Sequence, residues 1–154
     1  MSDWKRRTKD ISLASLRPET ANAFREHIER HNLGPILSEA LICIQTDSEK
    51  PKKGLFGKAE LVKMVVILTP RWLLWSIEQP NAKAVVLSAQ LANIIVRDYA
   101  QTPFVKMVPD CGIEVSGMFT DASESVSAFI GLEEGEAGDR FKELIVKTVQ
   151  AAKK

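Results

Sequence analysis

Glu60-Leu-Val-Lys-Met-Val-Val-Ile-Leu-Thr-Pro-Arg-Trp-Leu-Leu-Trp-Ser-Ile-Glu78 is the stretch on which the fold turns. Two runs rich in Val, Ile, Leu and Trp flank Leu68, Thr69, Pro70 and Arg71. Pro70 lacks a backbone donor and fixes its own φ, so a strand ladder is interrupted there and the chain can turn. The stretch therefore reads as a hairpin. Counting by twos sends Leu73, Trp75 and Ile77 to the core side and Trp72 and Leu74 to the other, which is too much apolar surface for a strand facing only water. Something must cover it. An upstream helix, through Ala21, Phe24 and Ile28, is the first expectation. A protein partner or a second copy of the chain, docked on Trp72 and Leu74, is the alternative.

Outward from the hairpin the chain continues as strands. Upstream, the second half of 36–46 is a strand; downstream, Gln79, Pro80 and Asn81 turn the chain into a fourth strand over 83–87, and 93–99 reads as a fifth. Residues 102–112 hold two prolines and read as a long connection. The sixth strand, 113–120, alternates Ile113, Val115 and Phe119 with Glu114, Ser116 and Thr120, with Gly117 at a bend. The seventh covers 125–130. A helix closes the chain, with Phe141, Leu144, Ile145, Thr148, Val149 and Ala152 on one stripe and Asp139 as its cap.

At the other end, Pro18 opens a helix carrying Ala21, Phe24 and Ile28 on one face, which Asn32 and Gly34 stop. Residues 1–17 read as an arm that orders on contact, with Trp4 as its anchor. This gives an N-terminal arm and helix over 1–34 and a second unit over 35–154, together one globular body. Seven short strands and one amphipathic helix cannot all bury their apolar faces in an open sheet. The expected fold is thus mainly β within the α+β class: a seven-stranded antiparallel bent barrel or sandwich capped by the C-terminal helix, with an extra N-terminal helix.

The 154 residues are 45% hydrophobic and 27% charged, enough for a continuous core. The 21 basic and 20 acidic side chains nearly cancel, so no whole-molecule field draws the chain to nucleic acid. No apolar run reaches the roughly 18–20 residues of a membrane helix, and the first residues lack a signal-peptide core, so a cytoplasmic location is expected, with peripheral membrane contact as the second option. Cys43 and Cys111 are far apart without metal-ligand spacing and read as idle thiols.

The order of seven strands and a helix resembles the pleckstrin-homology-like superfold over about 36–153. Leu68-Thr69-Pro70-Arg71-Trp72-Leu73 is similar to the Leu-Thr-x-x-Arg-Leu corner of its GRAM and bacterial branches, except that Trp72 stands between the Arg and the Leu. The resemblance implies a bent barrel stoppered by the helix and used to dock lipids, peptides or proteins, without catalysis. Two features depart from the family. Phe141 stands in the last helix where many members carry Trp, and after Lys58 comes Ala59-Glu60 in place of a basic pair, against specific phosphoinositide recognition.

Two sets of residues are candidates for function. The first is the 50–58 loop with Lys50, Lys52, Lys53 and Lys58 around the apolar tip Leu55 and Phe56, joined by Lys63 further along the strand; it suits an anionic lipid or inositol-phosphate surface. The plainer expectation is a solvated loop with Phe56 folded back on the barrel. The second set is Trp72 and Leu74. His27 and His31, four apart on a helix, have a spacing metal ligands can use, but no third ligand accompanies them, and neither a metal nor a cofactor is expected. The acidic 131–136 turn lacks calcium-loop spacing. No Gly-x-Ser-x-Gly elbow or phosphate-binding glycine run is present. A non-catalytic module that docks a protein partner or self-assembles is the first expectation, with anionic-membrane binding second and a small enzyme a distant third.

Overall fold

The structure, a computed structural model, describes residues 2–52 and 54–154. It is α+β. A five-stranded antiparallel sheet runs in sequence order from β1 (Lys5–Asp10) through β2 (Ile42–Lys50), β3 (Glu60–Leu68) and β4 (Trp72–Glu78) to β5 (Val85–Gln90). A second antiparallel sheet holds β6 (Ile94–Asp98), β7 (Gly112–Gly117) and β8 (Val126–Gly131). Helix α1 (Pro18–Arg30) lies between β1 and β2, and α2 (Glu136–Ala152) ends the chain.

The hairpin forms where the sequence puts it. Leu68 stands opposite Leu73, Ile67 opposite Leu74 and Val66 opposite Trp75. Its corner is tied by Thr69, whose hydroxyl accepts from the Trp72 amide at 2.9 Å while its own amide donates to the Trp72 carbonyl at 2.9 Å. Arg71 is exposed, and its carbonyl receives the Leu91 amide.

Both faces of the hairpin are buried, which explains its unbroken apolar run. Val66, Leu68, Leu73 and Trp75 join Ile113, Val115, Ile130, Phe141 and Ile145 in the main core, where Trp75 meets Phe119 edge to face at 5.2 Å. Val65, Ile67 and Leu74 join Cys43, Phe24 and Ile36 in a second cluster on the outer face. Each large side chain buried in full contributes about 1.5–3 kcal/mol relative to exposure. With both faces apolar, polarity cannot set the register; the tight Thr69–Trp72 corner does.

Three expectations are corrected. Among the described residues the strands number eight, not seven, because 5–10, read as part of an arm, form β1. That strand has no apolar face to show in the sequence; it is an edge strand whose Lys5 and Arg7 stand opposite Glu49 and Asp47 of β2. The sheets do not close into a barrel. After β5 the chain bends through a 3-10 turn at Leu91–Asn93, and β6 pairs only with β7. Gly117 sits at the bend with φ 142°, where a Cβ would fall 2.1 Å from the Asn93 carbonyl oxygen. Finally, Gly135, not Asp139, caps α2; Asp139 lies in the first turn, where its charge suits the helix dipole.

The helices follow their patterns. α1 begins at Pro18, and Asn32 and Gly34 take left-handed φ of 54° and 77° just beyond its end. α2 lays Phe141, Ile145 and Val149 on the main core, with Leu144 half-buried beside them.

Candidate functional site

The β2–β3 loop joins two neighbouring strands of the first sheet. Lys50 ends β2 and is half-buried, Lys52 and Lys58 are exposed, and Lys53 lies outside the described residues. Leu55 is 86% exposed and Phe56 98% exposed, so the ring does not fold back onto the sheet. Two large apolar side chains held in water beside cations form an amphipathic tip.

Lys63 belongs elsewhere. It sits within β3, opposite Asp47 and Glu78, and lines an open groove of about 830 Å³ on the outer face with Lys5, Arg7 and Arg17. Asp47, Glu49 and Glu78 line the same groove, so its charge is mixed. Glu78 is the ordered centre at the α1 end. Its Oε1 accepts from Thr20 Oγ1 at 2.8 Å and Arg17 Nη2 at 3.0 Å, which pins the first turn of α1 to β4.

The second candidate surface is already covered. Leu74 is fully buried beneath α1 against the cluster holding Phe24, and Trp72 is half-buried at its rim. A partner docked on Leu74 is therefore corrected to an intramolecular contact: Phe24 reaches the sheet face because the helix is anchored at both ends. Glu78 holds one end. His27 holds the other, its Nε2 lying 2.7 Å from Ser88 Oγ on β5. Ser88 in turn donates to Thr120 Oγ1 at 2.7 Å.

His27 and His31 each meet a polar partner on another element. Their rings pack at 4.5 Å, His27 faces Ser88, and His31 Nε2 meets Asp121 Oδ2 at 3.2 Å. Among the described residues no group of three or more His, Cys, Asp and Glu comes together as metal ligands would. Burial holds the His27 imidazole below its ordinary value; His31 and Arg30 act in the same sense and Asp121 opposes them. Ser88 beside His27 has the spacing of a nucleophile and base, and Ser88 is fully buried beneath α1.

The thiols are separate. Burial pushes Cys43 up to about 12 and also raises Cys111, which Lys142 at 3.9 Å partly offsets. In the 131–136 turn the Glu133 amide donates to Thr8 Oγ1 at 2.8 Å, tying β1 to the start of α2.

One centre escaped the sequence altogether. Arg6 makes a bidentate pair with Asp110 at 2.9 and 2.6 Å and donates to Ser48 at 2.6 Å. Its guanidinium lies 5.0 Å from the Trp4 ring centroid and 5.3 Å from that of Phe129. A Cβ on Gly131 would fall 2.3 Å from Arg6 Nη1, so the glycine makes the room. Trp4 two residues before Arg6 is the only local signal; Asp110 and Phe129 are more than a hundred residues away.

No helix among the described residues is long and apolar enough to cross a membrane. No protein-family model, curated protein or solved structure matches the chain.

Proposed function

We propose that the chain is a non-catalytic docking module of pleckstrin-homology-like type that binds anionic membrane surfaces through its β2–β3 loop. The observation that carries this reading is the exposure of Leu55 and Phe56 at the loop tip between Lys52 and Lys58. Near an anionic leaflet Lys50, Lys52 and Lys58 contribute about 1 kcal/mol each. Burying Leu55 and Phe56 adds about 1.5–3 kcal/mol apiece if complete. Neither share alone offsets the several kcal/mol lost in association, so binding requires both.

Co-sedimentation with vesicles tests it. The protein pellets with phosphatidylserine-containing vesicles and not with neutral ones, and added salt weakens the binding. Lys52→Glu with Lys58→Glu, or Phe56→Ser alone, lowers affinity at least tenfold. Equal pelleting by these variants, or no pelleting by the wild type, contradicts the reading.

A protein partner is the second reading, and the groove favours it. Alternating cations and anions across β1, β2, β3 and β4 suit a polar protein surface better than a bilayer. Lys63→Glu with Arg7→Glu disrupts such a partner and leaves vesicle binding intact.

A further inference from the structure

Helix α1 covers an apolar sheet face, and its C-terminal half is fastened by two imidazoles. His27 is buried against β5, with Nε2 2.7 Å from Ser88 Oγ. Since Ser88 gives its own proton to Thr120, it accepts from Nε2–H of His27. A second proton goes to Nδ1 and leaves that bond in place, so protonation acts through charge. On β5 His27 meets the Ser88 hydroxyl, which donates onward to Thr120, and the segment after β7 contributes the Asp121 carboxylate. On α1 itself the neighbours are His31, 4.5 Å between ring centroids, and Arg30. Asp121 is largely exposed and is engaged by His31 at 3.2 Å. A charged His27 thus meets two basic neighbours and one carboxylate already shared.

We propose that α1 is a proton-sensitive cover: charging His27 beside His31 loosens the helix from β5 and opens the outer face formed by Val65, Ile67 and Leu74. The device is independent of the β2–β3 loop. Its direction follows from the imidazole being held low while the helix is docked. The undocked helix binds the proton more readily, so docking is strongest above about pH 6.5 and weakens as pH falls from there through the docked value. Below the docked value the loss is complete and levels off. The Glu78 clamp on Thr20 and Arg17 keeps the N-terminal end attached, so the opening begins from the His27 end.

Amide hydrogen exchange on the full chain at pH 7.5 and pH 5, with protection corrected for the intrinsic pH dependence, tests this. Protection of the α1 amides falls severalfold at pH 5 relative to pH 7.5, while that of β7 amides is unchanged. In His27→Gln, whose amide can still donate to Ser88, α1 protection has the same value at both pH values whatever its absolute level. A wild-type α1 whose protection does not change overturns the proposal. So does loss of protection in α1 and β7 together, or an undiminished pH response in His27→Gln. A parallel titration of the His27 ring by NMR must share the midpoint of the α1 change; a ring that stays neutral while the helix opens is equally fatal.

Discussion

Arg6 ties three parts of the chain to one guanidinium: β1 that carries it, Ser48 on β2, and Asp110 before β7. Arg6 and Asp110 side chains are each about 10% exposed, so the pair is largely shielded from water and removing one partner strands the other. Arg6→Ala therefore costs about 3–5 kcal/mol, read as a shift of the urea midpoint; an unchanged midpoint shows that the contact contributes nothing net. Cys43 gives a second test at this scale. Thiolate is the reactive form, and burial raises the Cys43 thiol to about 12, so thiol reagents at pH 8 leave it unlabelled until the protein unfolds. Labelling of Cys43 in the native state contradicts its placement. The reading of Cys43 as a buried or idle thiol was legible beforehand; the partners of Arg6 were not, because they depend on contacts distant in sequence.

At the scale of elements, legibility followed hydrophobic pattern. The β3–β4 hairpin, α1 and α2 carry long periodic or continuous apolar runs, and all three formed where their residues placed them. The strand over 83–87 formed as Val85–Gln90, starting two residues later and ending three later, because its last residues are fixed by pairing with Trp72 and Leu73 and not by their own polarity. β1 could not be read at all. Its Lys-Arg-Arg-Thr-Lys-Asp has no apolar alternation, and it is a strand only because β2 offers an edge. The cover over Leu74 was legible as an expectation, and α1 provides it through Phe24. Phe24→Ala removes a fully buried ring between helix and sheet and costs about 3–5 kcal/mol by thermal or urea unfolding. A cost below 1 kcal/mol shows that α1 is not packed as described.

For the whole molecule, two sheets share one core but do not close on each other. Strand count and order could be approached from the sequence; closure could not, since it depends on the bend at Leu91–Asn93 and on an edge strand without a pattern. The same architecture divides the outer surface. α1 seals the apolar face of the first sheet, and the β2–β3 loop leaves Leu55 and Phe56 in solvent. Most large apolar side chains of the hairpin region are thereby buried, while the loop presents apolar and basic groups together, as the segment with Phe104, Lys106 and Met107 also does. The lysine pattern was legible in the sequence. The outward position of Phe56 was not, because a short loop between glycines has no periodicity to fix its direction.

The most direct test of the docking reading is an NMR spectrum of the full chain with anionic bicelles containing a spin-labelled lipid. Broadening confined to amides of the 51–59 loop, lost in neutral bicelles and in Phe56→Ser, is the predicted result. Unbroadened loop amides, or broadening centred on another surface such as Phe104 and Met107, contradict it.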